Sequence, residues 1–191
     1  MLVELQKKNK YATDKQRKHG YLSYYEHYLS PLQNAEISLL EIGIARGGSI
    51  KLWNDYFSRA KIIGVDISQE NIDKVAQKMG LEKTEIDNSF ESSSSNVSLI
   101  LANSMDRKAL CGHFNPNQFD IIIDDGNHSL QSQILTFCYL YPFLKPGGLY
   151  FIEDIVPSFL ALESLKGLAE STFHFPNKSE DSILMAHRKE C

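Results

Sequence analysis

Ser38-Leu39-Leu40-Glu41-Ile42-Gly43-Ile44 runs straight into Ala45-Arg46-Gly47-Gly48-Ser49, and Lys61-Ile62-Ile63-Gly64-Val65-Asp66-Ile67 repeats the apolar half of that pattern. An apolar run of this length without alternation reads as a strand buried on both faces. Glycines at its end let the backbone turn sharply toward a following helix. The reading is a strand over 38–44, a helix over 49–57, a second strand over 61–67 and a second helix over 69–79.

Working outward, apolar runs over 97–102, 119–124 and 149–155 predict three more strands. A helix over 130–144 closes on Lys145-Pro146-Gly147-Gly148, read as a stop signal. Another amphipathic helix follows Pro157 to about residue 170, and short strands over 172–175 and 182–188 end the chain. Strand and helix alternate, so the expected fold class is α/β: Rossmann-like, doubly wound, a mostly parallel seven-stranded sheet with helices on both faces and a terminal antiparallel hairpin. Residues 87–96, Ser-rich and aperiodic, are expected to form a flexible surface loop.

A length of 191 residues fits a single domain over 1–191. A net charge of −4 supplies no broad attraction to nucleic acid or a membrane. No run approaches the ~20 apolar residues of a membrane span, and no apolar segment follows the basic N-terminus as a secretory signal requires. Cys111, Cys138 and Cys191 are odd in number and lack CxxC spacing, which argues for a reducing cytoplasm and against a zinc cluster. Cys138 is expected in the core. The basic run Lys7, Lys8, Lys10, Lys15, Arg17 and Lys18 is expected to be a solvated arm.

Ligands of open parallel sheets bind beyond the carboxyl ends of the strands, where strand order reverses. Those ends are polar here. The first carries Glu41, Gly43, Arg46, Gly47 and Ser49; the second ends at Asp66, placed to hydrogen-bond a ribose. A glycine loop followed by that acid implies an adenosine-containing cofactor. The loop reads E-x-G-x-x-x-G-G and not GxGxxG, and a carboxylate at Glu41 would repel a pyrophosphate but suit a cationic amino-acid end. That favours S-adenosylmethionine (SAM) over NAD. Asp124, Asn103 and Ser104 end neighbouring strands and join the candidate cofactor contacts. Asp125, Glu153 and Asp154 converge at two strand ends, and such crowding of like charges calls for a cation. Oxygen ligands without cysteine suit Mg²⁺ or another divalent cation. His128, three residues past Asp125, has the chemistry for proton removal near neutral pH.

Thr13-Asp14-Lys15 with His19-Gly20-Tyr21, then LLEIGIARGGS with Leu52-Trp53, IGVDIS, FDIIIDDGNHS and LKPGGLYFIEDI, follow one another in an order that resembles the metal-dependent sugar O-methyltransferases of the mycinamicin type, class I enzymes related to cephalosporin hydroxylase-like proteins. The resemblance runs from about Thr13 to Arg188. It implies Mg²⁺ at Asp125, Glu153 and Asp154, His128 as general base, SAM at Glu41, Gly43 and Asp66, and residues 1–30 as a helical lid over the cofactor. The chain departs from the family at Asn103, where an acid is usual, and members acting on macrolides carry upstream domains without a counterpart here. The expected function is Mg²⁺-assisted methylation of a hydroxyl on a sugar or glycosylated small molecule, in an enzyme free to form homo-oligomers. A catechol-type phenolic O-methyltransferase, an NAD oxidoreductase and a non-catalytic SAM-binding module are the alternatives.

Overall fold

The structure, a computed structural model, describes residues 1–84, 89–91, 95–169, 171–176 and 183–190. Two helices, α1 (Leu2–Asn9) and α2 (Leu22–Leu29), precede the sheet. β1 (Ile37–Ile42), α3 (Gly48–Tyr56), β2 (Ala60–Asp66) and α4 (Gln69–Met79) follow. Next come β3 (Glu82–Lys83), β4 (Ser89–Glu91), β5 (Val97–Leu101), α5 (Arg107–Cys111), β6 (Phe119–Asp124) and α6 (Leu130–Leu140). β7 (Leu144–Ile155), α7 (Phe159–Lys166), β8 (Ser171–Pro176) and β9 (Ile183–Arg188) complete the chain. The helices form where local chemistry permits. In α4 the Ser68 side chain accepts from the Asn71 amide, Gly80 closes the last turn at φ +66°, and Ile72, Val75 and Ala76 fall on one buried face.

The sheet order is β3-β4-β5-β2-β1-β6-β7-β9-β8, with β5, β2, β1, β6 and β7 parallel. β9 runs antiparallel to β7, and β8 to β9, as the terminal hairpin requires. The chain moves outward from β1 through β2 to β5 and then returns to β6 on the other side, so strand order reverses between β1 and β6. Alternation along β1 sends Leu39 and Leu40 into different cores. One core packs Leu2, Tyr25, Trp53 and Ile72 from α1–α4 on Leu39, Ile121 and Phe151. The other packs Leu110, Phe137 and Leu165 from α5–α7 on Leu40, Ile122 and Ile152.

Among the described residues the strands number nine where seven are expected. The difference lies in β3 and β4. Ser89–Glu91 is a strand and not a loop, antiparallel to β5, because Phe90 buries itself in the core and the free edge of β5 gains backbone partners. Residues 87–88 and 92–94 of the expected loop lie outside the described residues. The helix expected to reach residue 144 ends at Leu140, since Pro142 cannot donate an amide and a short 3₁₀ turn takes over. Lys145–Gly148 then lies inside β7 rather than stopping a helix, and α7 ends at Lys166, short of residue 170. Cys138 is exposed, not core: α6 turns Thr136, Phe137 and Leu140 inward and leaves Cys138 on its outer side. Among the described residues no helix is long and apolar enough to cross a membrane.

His187 on β9 is wholly buried, its Nδ1 2.8 Å from Thr172 Oγ1, and burial pushes its imidazole down to about 4. Unfolding returns it to the ordinary value near 6.5, so between those values the unfolded chain binds the extra proton. Stability is then expected to fall as pH drops from about 6.5 to about 4, by roughly 3 kcal/mol from this group. Urea unfolding across that range checks it: His187→Leu should flatten the slope, and an unchanged slope contradicts the assignment.

Candidate active site

Gly43 ends β1 at φ +84°, and a Cβ there would lie 2.1 Å from the Asp125 carbonyl oxygen. Only glycine lets the ends of β1 and β6 meet this closely. The Asp125 amide donates to the Ile42 carbonyl at 2.9 Å, and the Gly43 amide to the Val65 carbonyl at 2.8 Å. Asp66 shapes the loop that follows. Its Oδ2 accepts from the amides of Ile44 and Ala45 at 3.2 and 3.0 Å, and its Oδ1 from that of Ser68 at 2.8 Å.

Beyond these strand ends lies a cleft of about 430 Å³, within the range of small-molecule sites. Asp66, Ile67, Asn103 and Ser104 line one side, and Asp125, His128 and Asp154 the other. An adjoining open cavity of about 950 Å³ brings Arg46 and Ser49 opposite the arm at Tyr11–Asp14. Gly47, at φ +75°, packs on Val75 and starts α3. Asn103 spends its side-chain oxygen on its own turn, accepting from the Met105 amide at 2.9 Å, while Asp106 caps α5.

Two expected cofactor contacts are placed elsewhere. Asp124 is buried, bonded to the Gly126 amide at 3.3 Å, with its carboxyl pushed up to about 7 by burial. Glu41 is wholly buried, because strand alternation turns it beneath the N-terminal arm, and burial pushes its carboxyl up. What meets it there is Lys15. The expected solvated arm is wrong at this residue: Lys15 has no exposed surface. Its Nζ lies 2.6 Å from Asp125 Oδ2, 2.6 Å from Glu153 Oε1 and 3.2 Å from Glu41 Oε1. Burial alone would lower the lysine, but the three carboxylates outweigh it and hold the ammonium well above its usual range. Tyr25 donates to the same Glu153 oxygen at 2.5 Å.

The outer side of this cluster faces the cleft. Asp125, His128 and Asp154 each offer one ligand atom, all within 4.8 Å of one another. Glu153, expected beside them, turns inward to Lys15 and Tyr25 instead. His128 and Asp154 hold left-handed backbone at φ 62° and 54°, a conformation that costs of order 1 kcal/mol or more in such residues. His19 Nδ1 lies 3.3 Å from Asp154 Oδ1, and Tyr21 donates to that oxygen at 3.1 Å. The two carboxylates lie within one ion's reach and fit a divalent cation with open positions, with the imidazole beside them.

Residues 40–155 match the family described as a methyltransferase domain. The chain belongs to that family. The methyltransferase domain is 31% identical over 158 residues to the 8-demethyl-8-alpha-L-rhamnosyl tetracenomycin-C 2'-O-methyltransferase of Streptomyces olivaceus, covering 78% of this chain and 37% of that protein. It is 29% identical over 145 residues to the mycinamicin VI 2''-O-methyltransferase of Micromonospora griseorubida, covering 72% and 32%. The chain thus spans about a third of the length of these curated relatives. Its fold matches MycE, a methyltransferase of the mycinamycin biosynthetic pathway solved with Mg and SAH, at TM-score 0.72 and 22% identity, covering 99% of this chain and 55% of that one.

Lys15, His19, Tyr21 and Tyr25 of the methyltransferase domain join the site through contacts that are not readable in the sequence. The motif Asp14-Lys15 with His19-Gly20-Tyr21 is the one signal that singled out this stretch, and it carries no hint of partners more than a hundred residues away.

Proposed function

We propose that the chain is the catalytic domain of a SAM-dependent, divalent-cation-assisted O-methyltransferase acting on a hydroxyl of a sugar or glycosylated small molecule. The observation that carries this is the meeting of two features at the β1–β6 reversal: the Asp66-shaped glycine loop and the outer face of the carboxylate cluster. The names of the relatives, two sugar O-methyltransferases, support the acceptor class. Free thiols at Cys111 and Cys138 support a reducing, cytoplasmic setting.

Gly43 and Asp66, with Asn103 and Ser104 across the cleft, would hold the cofactor. SAM supplies a methyl group on a sulfonium, open to direct displacement. Asp125 and Asp154, with Glu153 behind them, would hold the divalent cation, which supplies Lewis acidity toward the acceptor hydroxyl. His128 stands at the rim, its Nδ1 without a hydrogen-bond partner and its Nε2 3.8 Å from Asp125 Oδ1. It would take the proton of the acceptor hydroxyl, and Asp125 would steady the resulting imidazolium. Alignment of acceptor and methyl contributes part of the ~7–11 kcal/mol that orientation can supply.

Isothermal titration with SAM and with NAD, each with and without Mg²⁺, tests the reading. SAM is expected to bind and NAD not, and Asp66→Ala is expected to weaken SAM at least ~10-fold, the loss of charge-assisted hydrogen bonds. No heat with SAM under either condition overturns the reading. A Mg²⁺-dependent screen of glycosylated acceptors then tests the substrate class, and turnover on phenols alone overturns that part.

A further inference from the structure

The cluster Glu41, Asp125, Glu153 and Asp154 already contains a cation, and it belongs to the chain. Lys15 donates to Asp125 and Glu153 at 2.6 Å each, and its Nζ lies 3.2 Å from Glu41 Oε1, an ion pair without a hydrogen bond. Asp125 divides its oxygens between two sides. Oδ2 faces Lys15 within the fold, and Oδ1 lies on the His128 side.

We infer that Lys15 is a resident second cation of this cluster, which stays among Glu41, Asp125 and Glu153 when the divalent ion binds and confines that ion to the outer side at Asp125 and Asp154. The inference rests on the metal-assisted reading above. Two observations carry it beyond an ion pair. First, the two cations have separate places. Lys15 lies against the buried Glu41 and Glu153, while the side chains of Asp125 and Asp154 keep 21% and 20% of their surface exposed on the outer side, where a divalent ion can reach them. Second, Lys15 cannot step aside cheaply. The arm that carries it lies so close to Gly48 that a Cβ there would sit 2.2 Å from the Ala12 carbonyl oxygen. Beyond Lys15 the arm is pinned again by Tyr21, wholly buried, whose amide donates to the Lys15 carbonyl at 2.7 Å. Expelling the ammonium would leave Glu41 buried with an uncompensated charge, a severe cost. Lys15 is therefore a positioning residue: it draws one oxygen each from Asp125 and Glu153 inward and so sets which oxygens remain for the ion.

Native-state acetylation of the whole chain with acetic anhydride, in metal-free buffer and in saturating Mg²⁺, reads the position of Lys15 by peptide mass spectrometry. Lys7 and Lys18, with side chains 65% and 62% exposed, serve as internal controls. Lys15 is expected to react at least ~10-fold less than Lys18 in both buffers, as its burial dictates. Labelling of Lys15 on addition of Mg²⁺ overturns the inference. A calorimetric Mg²⁺ titration of the wild type separates the two readings: no Mg²⁺ binding overturns the metal-assisted function and this inference together, whereas labelled Lys15 in a Mg²⁺-binding protein overturns this inference alone. Lys15→Met supplies the second readout. Freed of the ammonium, the inner oxygens become available, so Mg²⁺ is expected to bind at least ~10-fold more tightly and to raise the melting temperature by linkage. A lysine that only held the arm would leave the Mg²⁺ affinity unchanged or weaker, and that result also overturns the inference. Should Lys15→Met not fold, the wild-type labelling decides alone.

Discussion

His128→Asn is expected to lower turnover by ~10²–10⁴-fold, the usual contribution of a positioned general base, while SAM binding stays near that of the wild type. Asparagine is the informative replacement because residue 128 sits at φ 62°, and asparagine tolerates left-handed backbone better than alanine does. Loss of the imidazole is thereby separated from added strain. The side chain reaches the cleft rim and helps no core, so the melting temperature should move little. Single-turnover methylation of an accepted glycoside, beside calorimetry with SAM, checks both halves. Turnover within tenfold of wild type would remove His128 from the proton-transfer role and return the choice of base to the carboxylates around it.

The second large effect belongs to Gly43→Ala. The new Cβ would stand 2.1, 2.7 and 2.9 Å from the Asp125 carbonyl oxygen and carbon and the Gly126 Cα, all backbone atoms that cannot rotate away. Overpacking of that kind, added to the cost of φ +84° for alanine, is expected to destabilise the fold by about 3 kcal/mol or more. Gly80→Ala is the matched control: φ is +66° there, yet a Cβ meets nothing within 4 Å, so strain of about 1 kcal/mol is all that should appear. Urea unfolding of the two variants isolates the packing component. Gly43→Ala should also abolish SAM binding in whatever fraction remains folded, because relieving the clash drives the end of β1 from the end of β6. Equal losses for the two variants would show that the close approach at Gly43 carries no energy.

The parallel core was legible because its strands are continuous apolar runs, and burial on both faces leaves that imprint in any such sequence. The same reasoning found the cleft, since a strand ending in a carboxylate is conspicuous when everything before it is apolar: Asp66, Asp125 and Asp154 all line it. Edge strands left no comparable imprint. Glu82 and Lys83 are both exposed, and β4 places one apolar side chain, Phe90, in a serine-rich stretch. Glu41 illustrates a different limit. Its position at a strand end is readable from its neighbours, but the face it occupies is a question of alternation, and its partner, Lys15, comes from the segment between α1 and α2. A buried ammonium in a run of solvated lysines carries no mark of its own, because the carboxylates that bury it are supplied by tertiary structure.

Lys15 is 110 residues from Asp125 and 138 from Glu153 along the chain. A ribosome adding about 5–20 residues each second completes the second of these contacts roughly 7–28 s after it has made the lysine. Through that interval the arm can meet α3 but lacks β6 and β7, so Tyr25, wholly buried at the end, still wants Phe151 and Glu153. The β1–β2–β5 half of the sheet can pair as it emerges, but Lys15 meets Asp125 and Glu153 only when β6 and β7 arrive, long after its own segment was made. Closure of the arm is thus the step that ties the segment before β1 to β6 and β7, and it registers the arrival of those two strands.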